Sequence, residues 1–144
     1  MVMTKDAIEE ACLLGTVAGM RSMMPMAVLS LSAHHRRWLA VPAGLAAGWE
    51  LIYDKLPKVQ DRTKGASAAA RLVSGAVAGG IGARLLGGSI AVGAGVGALA
   101  ALASTYLCHR LRSKAAGRVP PVAAAMGEDL LAIGVSARAL KALR

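Results

Sequence analysis

The chain has no phenylalanine and only 3% aromatic residues, and charged residues make up 17% of its 144 positions. A water-soluble core of this length draws much of its stability from buried aromatic and large aliphatic side chains, so their scarcity argues against an ordinary soluble domain. Cysteine is also scarce. Cys12 and Cys108 lie in or beside apolar stretches with no CxxC or Cys/His spacing, which excludes a disulfide framework and a structural zinc site. His34, His35 and His109 have no ligand spacing, and no metal or other cofactor is expected. GxSxG, HExxH and phosphate-loop patterns are absent, so nothing in the sequence marks an enzyme.

What is abundant is small and apolar. Hydrophobic residues reach 56%, and Ala and Gly together fill 48 positions. Small residues let helices approach closely in a bilayer, where water supplies no drive for association. The reading is a single all-α domain over 1–144, a polytopic transmembrane bundle of about five helices in the bacterial inner membrane. Apolar stretches near 7–31, 38–53, 66–86, 88–108 and 120–140 are the expected spans. Pro57, Gly87-Gly88 and Pro120-Pro121 fall between them as helix stops and starts. Asp6, Glu9 and Glu10 precede the first apolar stretch and Arg21 interrupts it, unlike a cleaved signal peptide, so the N-terminus is expected to be retained.

The net charge of +9 would suit nucleic acid in a soluble chain, but the basic residues sit in short loops between apolar stretches and no aromatics accompany them. Membrane lipids are therefore the expected partners, and nucleic acid is not. With five spans, the N-terminal side would collect Lys5, the four basic residues from Lys55 to Lys64 and the four from Arg110 to Arg118. The other side would collect Arg36, Arg37, Arg84, Arg138, Lys141 and Arg144, and this asymmetry places the N-terminus in the cytoplasm.

The informative positions are charges inside apolar stretches, since each is costly at the bilayer centre unless paired or wetted. Glu10 and Arg21 are 11 positions apart, which returns to one helix face but separates them by about 16 Å along the axis. Pro25 cannot donate a hydrogen bond to the Arg21 carbonyl, which predicts a kink or break there. On the five-span topology Glu9, Glu10, Glu50, Asp54, Glu128, Asp129 and Arg71 gather in the cytoplasmic half. Arg21, Arg71 and Ser22 then stand as candidate contacts for an anionic substrate. Glu10, Glu50, Asp54, Glu128 and Asp129 are candidates for proton or ion coupling, and Pro25 for a helix break. A network of ion pairs that only fixes helix positions is the other reading of the same residues. Glu9-Glu10 with Gly15 and Ala18 also echoes Glu128-Asp129 with Gly134 and Ala137, which would put adjacent acids at similar depth in two helices.

Glycine pairs at four-residue spacing recur at Gly15/Gly19, Gly44/Gly48, Gly75/Gly79 and Gly93/Gly97, suited to close packing within one bundle or to a homodimer seam.

Three stretches carry a family resemblance: Glu50-Leu51-Ile52-Tyr53-Asp54-Lys55-Leu56-Pro57 with Asp61-Arg62, then Arg71-Leu72-Val73-Ser74-Gly75, then Gly15 through Arg21-Ser22. Together they resemble the bacterial integral membrane family designated domain of unknown function 4126. The resemblance implies a membrane protein with polar motifs at helix ends, and it implies no activity. Two functions follow as expectations. One is a transporter, flippase or channel for a small or lipid-linked anionic substrate, working as a dimer. The other is a non-transporting scaffold or accessory subunit that binds a partner through small-residue helix faces.

Overall fold

A computed structural model describes residues 4–32, 45, 65–115 and 118–143. These residues form five α-helices and, among them, no strand: α1 (Lys5–Met20), α2 (Met24–Ser32), α3 (Gly65–Leu85), α4 (Ile90–Ala115) and α5 (Pro121–Ala142). The expected span at 38–53 lies outside the described residues, as do Gly44, Gly48, Glu50 and Asp54.

Local chemistry sets the helix ends. Thr4 caps α1, its hydroxyl accepting from the Ala7 amide at 3.3 Å. Pro121 opens α5, where its missing N–H costs nothing. Between α3 and α4 the Gly88 amide donates to the Ala83 carbonyl at 2.7 Å and the Gly87 amide to Arg84 at 3.1 Å. That is a Schellman closure, and it holds Gly87 at a φ of 75°, a left-handed conformation that a Cβ disfavours.

The first expected span is two helices. Its helix ends at Met20, and Arg21 follows in extended conformation (φ −143°, ψ 111°). After Ser22 and Met23 the chain enters α2, with Pro25 buried in its first turn. Val28 and Leu29 of α2 pack in one cluster with Leu14 of α1, Ala78 of α3 and Ala139 of α5. A straight continuation would carry residue 28 about 20 Å past Leu14. The chain therefore reverses at Arg21–Met23, and α2 folds back along α1.

This reversal changes the relative directions. Arg71, early in α3, bonds to the last residues of α1, so these helices are antiparallel. Gly15 and Gly19 face Gly97 and Ala101 in the same order, so α1 and α4 are parallel. Asp129 meets Arg21 and Arg138 meets Glu9, so α5 is antiparallel to α1. The expected clustering of Glu9, Glu10, Glu128 and Asp129 at one depth is thus corrected, because the two acidic pairs lie at opposite ends of the bundle. Lys5 likewise lies with Arg84, Arg138 and Lys141, opposite Arg110, Arg112, Lys114 and Arg118. Among the described residues the basic side chains thus number four at the first end and, with buried Arg21 and Arg71, six at the second.

Helix α1 is central and touches all four others. Its contact with α4, and that of α4 with α3, depends on missing side chains. A Cβ on Gly97 would overlap the Gly75 carbonyl oxygen and come within 3.0 Å of Gly79 Cα, and Gly97 itself fills the space beside Gly15. Three helix backbones converge there, which accounts for three of the four glycine pairs as packing within the bundle.

The distribution of side chains is inverted relative to a soluble domain. The interior holds Ala7, Ala11, Ala18, Ala78, Ala83, Ala101, Ala132 and Ala139 together with Glu10, Arg21, Arg71, Glu128 and Asp129. On α3, α4 and α5 many large aliphatic residues point outward, Val73, Val77 and Ile81 on α3, Val92, Leu99 and Leu107 on α4, and Val122, Leu130 and Ile133 on α5, while Leu14, Val17, Val28 and Leu29 of α1 and α2 are buried. Leu99 is 70% exposed whereas Arg21 is 1% exposed. Among the described residues one helix, α4, is long and apolar enough by itself to cross a membrane.

Candidate functional site

The interruption of α1 leaves carbonyls without helical partners, and the surrounding helices supply donors for them. Arg21 closes the last turn itself, its amide donating to the Val17 carbonyl at 2.7 Å. Arg71 Nη1 donates to the carbonyls of Gly19 at 2.6 Å and Met20 at 2.9 Å. A guanidinium suits this place, because it brings a positive charge to the negative end of the helix dipole. Thr105 Oγ1 donates to Gly19 at 3.1 Å and Ser104 Oγ to Thr16 at 3.0 Å. Ser74 Oγ donates to the carbonyl of Ser22.

The Arg21 side chain turns the other way. Its Nε donates to Asp129 Oδ1 at 3.0 Å, and its Nη2 forms the second contact of an ion pair with the same oxygen. Glu128 is paired with Arg112 of α4, beside a cavity of about 230 Å³ between α4 and α5. Arg21, Arg71, Glu128 and Asp129 are all buried, so this end of the bundle holds a largely buried polar network, with part-exposed Arg112 at its edge. Ser22 contributes a backbone carbonyl to it. Pro25 stands just after the break, in the first turn of α2.

At the other end the arrangement is open. A cavity of about 490 Å³ lies where the start of α1 meets the ends of α3 and α5, lined by Asp6, Glu9, Glu10, Leu13, Leu86, Arg138, Lys141 and Ala142. Glu9 and Arg138 form an exposed ion pair at its mouth. Glu10 is 1% exposed, and neither of its carboxylate oxygens has a hydrogen-bond partner. Its stem lies beside Gly82, where the absence of a side chain makes room for Leu14. A buried carboxylate in this state is costly, which singles it out from the paired acids.

Of the residues that the sequence singles out, the structure brings Arg21, Ser22, Arg71, Glu128 and Asp129 together and sets Glu10 apart from them. Glu50 and Asp54 lie outside the described residues. Sequence reasoning missed Ser74, Ser104, Thr105 and Arg112 as partners of the buried groups, and Arg138 as the partner of exposed Glu9. The adjacent hydroxyls of Ser104 and Thr105 inside the uncharged stretch of α4 were the available signal. Among the described residues no group of three or more His, Cys, Asp or Glu side chains is placed to hold a metal ion.

Comparison of the chain with protein-family models, with curated proteins and with solved structures finds no match. The likeness to domain of unknown function 4126 rests on the quoted motifs.

Proposed function

We propose that the chain is a multi-pass protein of the bacterial inner membrane that handles a small or lipid-linked charged substrate at the Glu10 cavity, as a transporter, flippase or channel. The observation that carries the membrane part is the inverted side-chain distribution. Outward Leu, Val and Ile on α3, α4 and α5, around an interior rich in Ala, Gly and charged side chains, is costly in water and favourable in hydrocarbon. At 21, 26 and 22 residues, α3, α4 and α5 have lengths of roughly 30 Å or more, which matches a hydrocarbon layer.

In this reading the two polar ends divide the work. Arg21 and Arg71 are occupied by Asp129 and by α1 carbonyls, so they hold the broken helix in place. Substrate contact passes from them to the open end, where Glu10 is unpartnered. A bundle this small supports alternating access best as a pair of copies, so a homodimer belongs to the proposal.

The second reading, a scaffold or accessory subunit, is favoured by the closed state of the Arg21–Asp129 network, which resembles a structural lock more than a binding surface. Proteoliposomes carrying fluorescent reporter lipids and a membrane-potential dye separate the two. Lipid or ion movement that is lost in Glu10→Gln supports transport. A folded, inserted protein that moves neither overturns it in favour of the scaffold.

A further inference from the structure

We propose that the Glu10 cavity binds the headgroup of a zwitterionic phospholipid bearing a primary ammonium, with Glu10 accepting from the ammonium and Lys141 facing the phosphate. The inference rests on the membrane reading above and gives its site a ligand class. Glu10 supplies the main constraint. It lines the cavity, and its carboxylate oxygens, buried in the wall, have no donor from the protein, so a rotation of the side chain is enough to bring them to a ligand. The missing partner is therefore a hydrogen-bond donor brought by a ligand, preferably a cationic one.

The walls narrow the choice. Arg138 is held by Glu9, so Lys141 remains as the basic group in reach of a ligand's anionic part. Leu13 and Leu86 form an apolar side to the same cavity. Two acids outside the Glu9–Arg138 pair, buried Glu10 and exposed Asp6, with one lysine and an apolar wall, fit a molecule with a cation, an adjacent anion and a hydrocarbon tail. A lone metal ion fits less well, since no cluster of three ligating side chains is placed to hold one among the described residues. The volume of about 490 Å³ falls among small-molecule sites, which run from roughly 300 to 1,000 Å³. Depth agrees too: Glu10 is five residues into α1, about 7.5 Å from its start, and Lys141 is in the last turn of α5. Both sit at headgroup level if the bundle spans the bilayer.

The test uses the delipidated full chain in detergent and measures lipid binding by native mass spectrometry. Phosphatidylethanolamine offers three N–H donors, whereas phosphatidylcholine has the same phosphate and none. The expected result is a preference for the ethanolamine lipid of about tenfold in wild type, the size of one good charged hydrogen bond. Glu10→Gln should abolish that preference, and Lys141→Ala should weaken both lipids alike. Equal binding of the two lipids by wild type, or a preference that survives in Glu10→Gln, overturns the proposal. Should Glu10→Gln fail to fold, the wild-type comparison and Lys141→Ala still decide. Soluble phosphoethanolamine is the second arm: competition at concentrations near those of the lipid would overturn the lipid as the source and leave a free aminoalkyl phosphate as the ligand. A chain that needs no detergent to stay in solution would instead refute the membrane reading, so the two failures are distinguishable.

Discussion

Arg21 and Asp129, 108 positions apart in the sequence, share a hydrogen bond of 3.0 Å between Nε and Oδ1 deep inside the bundle. The pair ties the break after α1 to the third turn of α5. At the other end of the same two antiparallel helices, Glu9 meets Arg138. Both helices carry their acid before their base, so antiparallel packing pairs acid with base at both places.

Burial separates these two pairs energetically. Removing one partner of the buried pair leaves an uncompensated charge, so Asp129→Leu or Arg21→Met alone should cost about 3–5 kcal/mol. Arg21→Met combined with Asp129→Leu should recover most of that loss. Unfolding of the four proteins in detergent, read as a double-mutant cycle, checks this. A double variant as unstable as the single ones would mean that the pair is not the lock described.

The exposed pair should matter little. Glu9 and Arg138 side chains are 46% and 68% exposed, and pairs of that kind contribute about 0–1 kcal/mol. Arg138→Ala is expected to unfold within about 1 kcal/mol of wild type in the same assay.

Arg71 is the donor that serves two carbonyls at the end of α1. Arg71→Met should destabilise by about 1.5–3 kcal/mol, while Thr105→Val, which removes a neutral donor to one of those carbonyls, should cost about 0.5–1.5 kcal/mol. Equal effects of the two variants would contradict the capping role of the guanidinium.

Glycine positions give a paired contrast on α4. At Gly97 even a methyl group meets backbone on α3, so Gly97→Ala should weaken or unfold the bundle. At Gly95 nothing lies within 4 Å of the added methyl. Gly95→Ala should be neutral or stabilise the helix by up to about 1 kcal/mol, because it reduces the freedom of the unfolded chain. Thermal unfolding of both variants decides, and a tolerated Gly97→Ala would argue against the three-helix contact.

Much of the helical layout was legible in the sequence. The apolar stretches at 66–86, 88–108 and 120–140 correspond to α3, α4 and α5, since length and composition report helices well. The break near Arg21 was legible too, through Pro25. Its consequence was not: α2 has nine residues, too few to register as a span, and nothing in local periodicity says whether a helix kinks or turns back. Because every later depth assignment counts reversals, that single hidden turn moved Glu9 and Glu10 to the end opposite Glu128 and Asp129. The buried charges could be named from the sequence because charge in an apolar stretch is conspicuous. Their partners could not, because pairing Arg21 with Asp129 or Arg71 with the Gly19 carbonyl is decided by how helices pack.

The central claim is a membrane-spanning bundle in which α1 and α5 run in opposite directions. Single cysteines introduced at Lys5, Ser89, Lys141, Lys114 and Arg118, with Cys12 and Cys108 replaced by alanine, test it directly through labelling by a membrane-impermeant thiol reagent in oriented vesicles. The account predicts that positions 5, 89 and 141 react from one side and positions 114 and 118 from the other. Reaction of positions 5 and 141 from opposite sides would contradict the antiparallel arrangement, and equal labelling of all five from one side would contradict the membrane-spanning bundle itself.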